Sequence, residues 1–166
     1  MLNNKIIFLV VLIIFLSTPL ILAEDFESPE AFTEYVYANF AEENFAEVYN
    51  NFAAELKRIL SKEEYLKFQQ HNFDKYELEY TEIEVSAAEK IEFEKIEEKF
   101  DYADDFGSYY RLQVSYLLKF NRFGSREERS EKNVYLRKIN KDFQIFWDHE
   151  SALESDKAAD SSDQNE

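Results

Sequence analysis

The spacing of apolar side chains changes once along this chain, and that change limits the fold more than any other feature. From Phe32 to Phe68 apolar residues recur at intervals of three and four, the period of a helix that buries one face. From Tyr76 onward they alternate, as in a strand buried on one side. Helices first and strands afterwards, joined by short polar turns, predict an antiparallel meander rather than βαβ units. The expected fold class is α+β, with N-terminal helices packed on a curved antiparallel sheet of four to five strands.

Local chemistry places the helices. Ser28 before Pro29 is a capping residue ahead of proline at the first helical position, and Phe32, Tyr35, Val36 and Phe40 follow at helical spacing. These predict a helix over 29–40. Phe45, Val48, Tyr49 and Phe52 form an i, i+3, i+4, i+7 set and predict a second. Ser61 and Glu64 make a capping box that opens a third, through Tyr65, Leu66 and Phe68, expected to fray near His71.

Strand signals begin at Tyr76, Leu78 and Tyr80, and a phase slip at Thr81-Glu82 before Ile83 and Val85 predicts a bulge. The clearest strand has Tyr110, Leu112, Val114, Tyr116, Leu118 and Phe120 on one face. The only two glycines, Gly107 and Gly124, punctuate its ends. Alternation returns over 133–139 and at Phe143, Ile145 and Trp147. Segment 87–100 is read as a strand, although Ile91, Ile96 and Phe100 also fit a helix loosely. The mixed-charge run from Arg126 to Lys132 reads as a solvated hairpin turn.

Residues 1–23 have the layout of a secretory signal: Lys5, an apolar run from Ile6 to Leu16, and the small residue Ala23 at the expected cleavage point. The alternative is an uncleaved N-terminal membrane anchor. The protein is therefore expected to be secreted or extracytoplasmic, or else held at the membrane by this segment. One domain is expected over 24–149, followed by an acidic tail over 150–166 too poor in apolar residues to order itself. A net charge of −16 disfavours nucleic acid and anionic lipid as partners. With no cysteine, stability must come from packing, which 16 Phe, 11 Tyr and one Trp can supply.

The run FAEENFAEVYNNFAAELKRILSKEEYLKFQQ resembles the helical half of extracytoplasmic nuclear transport factor 2-like domains. There a first helix is followed by a turn, a helix of the type xxAYxx, a short xELKxxLSxEEF segment and a third helix. KDFQIFWDHE resembles the closing strand of the same superfamily, above all of the small N-terminal domain of that fold in some penicillin-binding transpeptidases. That strand ends W-x-x-x-W-D, and Phe143 and Trp147 stand here at the two aromatic positions. The resemblance covers roughly 29–149. It implies a cone, with a bent sheet wrapped around the first helix and a pocket in its mouth. Some members are isomerase-like or dehydratase-like enzymes, whereas many exported bacterial members are non-catalytic accessory domains, so fold alone does not choose.

Candidate chemistry is sparse. In Trp147-Asp148-His149, strand alternation sets Asp148 opposite its neighbours, so the trio reads as the end of a strand and not as a catalytic cluster. A zinc site needs three or more converging ligands, and the chain has only His71 and His149 as imidazoles. Asp101, Asp104 and Asp105 near Gly107 imitate a calcium loop weakly and read as a polar turn. No metal or cofactor is expected. An isomerase-like site needs a carboxylate base in an apolar pocket, yet no acid interrupts the apolar face of the strand from Tyr110 to Phe120. The expectation is an exported non-catalytic binding or accessory domain that recognises a protein partner or a small apolar ligand. Tyr35, Tyr49, Tyr116 and Trp147 are its candidate pocket residues. A small isomerase or dehydratase is the alternative, and sheet-to-sheet pairing into a homodimer is a further possibility.

Overall fold

The computed structural model describes residues 26–122 and 124–153. The signal segment with its cleavage point after Ala23, and the tail beyond residue 153, lie outside the described residues. Helix α1 spans Pro29–Ala41, and the Ser28 side chain accepts from Ala31 N at 3.2 Å. Helix α2 spans Phe45–Asn50 and α3 spans Ala54–Ile59, with Leu56 fully buried. Helix α4, Lys62–Tyr76, opens on the expected capping box: Ser61 Oγ accepts from Glu64 N at 3.2 Å, and Glu64 Oε2 accepts from Ser61 N at 3.0 Å.

Helix α4 does not fray near His71. Tyr65, Gln69 and Phe73 are all buried at successive i+4 positions, and the Phe73 ring packs on Phe40, Phe45 and Tyr80. That packing carries the helix through Tyr76, and it ends at Glu77 in the left-handed conformation, φ 48°. Tyr76 is thus the last helical residue and not the first of a strand.

The sheet is antiparallel, five-stranded and not closed. Its strands are β1 (Leu78–Val85), β2 (Glu89–Ile91), β3 (Ser108–Phe120), β4 (Arg126–Ile139) and β5 (Asp142–Phe146). The order is β1-β3-β4-β5, with β2 also on β3. The helices-then-sheet α+β class is as expected. So is the bulge: the β1–β3 register shifts between Thr81 and Glu84, and Glu82 has φ 49°. Gly107 has φ 101°, and a Cβ there would lie 2.6 Å from the Lys138 carbonyl oxygen.

Two expectations are corrected. Arg126–Lys132 is not a hairpin turn; it is the first half of β4, paired with β3 from Phe120↔Arg126 to Val114↔Lys132. Backbone pairing needs no apolar alternation, and here both faces are largely solvated, with Arg129 salt-bridged to Glu82. Segment 87–100 is a strand only over β2. Helix α5, Glu94–Glu97, follows and buries Ile96, with Phe100 four residues on, against Tyr109, Tyr135 and Phe146.

Alternation along the strands separates two cores. Leu112, Val114 and Tyr116 of β3, Val134 and Leu136 of β4, and Phe143 and Ile145 of β5 join the helices in the main core. Tyr109, Tyr135 and Phe146 turn the other way into a smaller cluster with Ile96 and Phe100. The outer edge of β5 is covered: Ile145 N donates to Asn51 O at 2.9 Å, and Ala53 N donates to Ile145 O at 3.0 Å. Past Trp147 the chain makes a helical turn over residues 149–153, and Leu153 packs on the main core. No helix among the described residues is long and apolar enough to cross a membrane.

Candidate functional site

Between α1, α4 and the helix-facing side of the sheet lies an open cleft of about 360 Å³. Small-molecule sites commonly occupy roughly 300–1,000 Å³. Helix α1 contributes Val36, Tyr37 and Phe40, and α4 contributes Tyr65, Phe68, Gln69, Asn72, Phe73 and Tyr76. The sheet contributes Leu78, Tyr80, Phe120, Lys132 and Ile145, while Phe52 and Trp147 stand together on the wall. Among these lining residues the single charged side chain is Lys132.

The walls are preorganised by ring packing. Trp147 stacks on Phe52 at 5.9 Å between centroids and 10° between planes, and it meets Tyr65 edge-on at 5.3 Å. Tyr102 clamps its backbone: the hydroxyl donates to Trp147 O at 3.0 Å and accepts from Trp147 N at 3.1 Å. Elsewhere on the wall Phe73 stacks on Tyr80 at 5.4 Å, and Phe40 sits edge-on to both. Rings locked in this way lose little freedom when a ligand arrives.

Lys132 shares the helix-facing side of β4 with Val134 and Leu136. Its Nζ lies 5.2 Å from the Tyr37 ring, 5.7 Å from Tyr116 and 6.0 Å from Phe40. Its side chain is open to the cleft, and among the described residues it makes neither a hydrogen bond nor an ion pair. Burial among the rings lowers its pKa from the ordinary lysine value, partly opposed by Tyr116. Burial likewise raises the pKa of Tyr37, Tyr65 and Tyr80 above the usual phenol value. These tyrosines stay neutral at ordinary pH.

Of the four pocket candidates, Trp147 lines the cleft. Tyr116 lies just behind the wall, buried against Tyr37 and Tyr80. Tyr35 donates to Glu47 Oε1 at 3.0 Å, and buried Tyr49 donates to the Leu60 carbonyl at 2.8 Å. Their places are taken by Tyr37, Tyr65 and Tyr80. Tyr37 adjoins Val36 on α1, and the stripe of Phe32, Tyr35, Val36 and Phe40 passed it over in favour of Tyr35.

Asp148 is a cap: its Oδ1 accepts from Ser151 N at 3.2 Å, at the start of the 149–153 turn. The His149 ring meets Tyr102 edge-on at 5.8 Å. His71 is exposed on α4. Asp104 pairs with Arg58 at 3.0 Å, and Asp105 accepts from the Tyr109 hydroxyl at 3.3 Å. No group of three or more such residues is arranged to hold a metal ion among the described residues.

Sequence reasoning missed a buried ion pair on the opposite face. Arg137 reaches Glu55 through both terminal nitrogens, at 2.5 and 2.6 Å, and donates to Gln144 Oε1 at 2.7 Å and Asp104 O at 3.3 Å. The two side chains are 0% and 2% exposed. Burial would raise the Glu55 pKa, but the Arg137 bonds outweigh it and hold the carboxyl below its ordinary value. Arg137 Nε has no hydrogen-bond partner among the described residues, and neither side chain of the pair lines the aromatic cleft. Nothing in AAELKRIL or YLRKIN announces it, because the partners meet only through the tertiary fold.

No protein-family model matches the chain, and no curated protein does. Among solved structures, the chain is similar to a SEC-C motif containing protein from Rhodopseudomonas palustris, known from a solution structure. The two are 16% identical over 72% of this chain and 76% of that one, with a TM-score of 0.45.

Proposed function

We propose that this chain is an exported, non-catalytic binding domain that holds a small apolar ligand in the aromatic cleft. The carrying observation is the make-up of the wall: mostly rings and aliphatic side chains, with Gln69, Asn72 and Lys132 as its polar groups besides the tyrosines and no carboxylate among the lining residues. An isomerase or dehydratase of the kind weighed above would need a carboxylate base there, and the buried carboxylate of Glu55 is locked to Arg137 on the other face. Docking of a protein partner finds less support. Ile59 and Phe106 are the only large exposed apolar side chains among the described residues, which leaves little outer apolar surface for a partner. Export rests on the signal-like segment 1–23. Membership of the nuclear transport factor 2-like superfamily rests on the quoted runs and on the order of helices before sheet.

Trp147 is the sole tryptophan and lines the cleft, so its emission reports occupancy. Titrating the purified protein with 1-decanol, a neutral apolar probe, should give a saturable one-site change. Absence of any saturable response to apolar probes of this size would overturn the reading.

A further inference from the structure

Lys132 is an ammonium in an apolar wall with three ring faces near it and, among the described residues, no anion paired with it. The rings offset part of its desolvation, and water in the open cleft supplies the rest. A neutral ligand that fills the cleft expels that water and leaves the charge unpaired. An anionic ligand replaces the water with a charge-assisted hydrogen bond. A cationic ligand meets ring faces already occupied by a like charge.

We propose that the ligand is an amphipathic carboxylate, with its apolar body against the rings around Trp147 and Phe73 and its headgroup paired with Lys132 Nζ. This rests on the reading of the cleft as a binding site, and it adds the ligand's chemical class. One ammonium matches one negative charge. A phosphate monoester would bring a second charge that no lining residue neutralises, in a protein whose net charge is already −16. Gln69 and Asn72 line the same cleft from α4 and are its amide-bearing side chains.

The test compares probes with one body and different heads, decanoate, 1-decanol, decyl phosphate and decyltrimethylammonium, each titrated against Trp147 emission. Decanoate should bind at least roughly tenfold tighter than decanol, the scale of one hydrogen bond to a charged group. Lys132→Met should erase that preference and strengthen decanol binding, since a neutral ligand then strands no ammonium, and Lys132→Arg should retain the preference. Equal affinities for decanoate and decanol in the unaltered protein overturn the carboxylate assignment and leave the cleft as a site for neutral molecules. Tighter binding of decyl phosphate or of decyltrimethylammonium than of decanoate also overturns it. No saturable response to any probe overturns the cleft reading itself. The comparison within the unaltered protein decides even if Lys132→Met fails to fold.

Discussion

Two cations stand on opposite faces of β4 and are treated in opposite ways. Arg137 is fully enclosed, and two of its nitrogens have carboxylate, amide and carbonyl partners built into the fold. Lys132 faces the cleft with three rings and no anion among the described residues. A buried charge persists when the chain supplies its counter-ion, as at Arg137. At Lys132 the described residues supply aromatic surroundings and no counter-ion, which is the arrangement the proposed carboxylate would complete.

The contrast is broken most directly by removing the partner of Arg137. Glu55→Ala leaves an unpaired guanidinium in the small cluster and should cost roughly 3–5 kcal/mol, measured as a lowered urea midpoint. Converting both partners to apolar residues, Glu55→Leu with Arg137→Met, should recover most of that loss. Neither change should alter the preference of the cleft for decanoate over decanol. A loss below about 1 kcal/mol for Glu55→Ala, the range of exposed pairs, would mean that Arg137 is as solvated as Lys132 and that the two faces do not differ.

At Lys132 the sign should reverse. Lys132→Met removes a charge that none of the described residues pairs, so it should stabilise the unliganded protein, by about 0.5 kcal/mol at a position that solvent still reaches. Stability against pH sharpens the difference. The folded pKa of Lys132 is depressed below 10.5, so between the folded value and 10.5 the unfolded chain binds the extra proton, and stability rises with pH. The Met variant should lack that rise. Since the tyrosines begin to ionise in the unfolded chain near pH 10, the readout is the difference between the two proteins below that point. Glu55 acts at the other end: its carboxyl is depressed below 4.5, so its contribution is complete above that value and lost as pH falls through the folded pKa. A Lys132→Met protein that keeps the alkaline rise would assign it to another group.

Why one cation could be anticipated no better than the other follows from what each signal needs. The capping box at Ser61 and Glu64, the bulge near Glu82 and the glycine at the head of β3 are short-range chemistry, legible because cause and effect lie within a few residues. The end of α4 was not legible, because Phe73 extends the helix only by meeting Phe40, Phe45 and Tyr80. Lys132 was hidden by its company. It closes the run REERSEK, whose other charges are solvated, and only the register with Val114 turns it toward the main core. Trp147 was found because a lone Trp on a closing strand is conspicuous, whereas Tyr37, Tyr65 and Tyr80 were indistinguishable from core aromatics until the cleft was drawn around them.

The smallest expected effect separates the inside of the cleft from the surface around it. The protein carries −16, so a carboxylate approaching from solution is repelled before it reaches Lys132. Added salt shortens the Debye length from about 30 Å at 0.01 M to about 8 Å at 0.15 M and screens that repulsion, while a headgroup pair formed among rings is screened far less. Association of decanoate should therefore quicken by a few-fold over this range, with dissociation nearly constant, so that affinity rises with salt. Ordinary surface ion pairs weaken with salt, so stopped-flow Trp147 emission gives the two arrangements opposite signs. If decanoate affinity falls as salt rises, the carboxylate is paired in solvent at the mouth and not beside the rings.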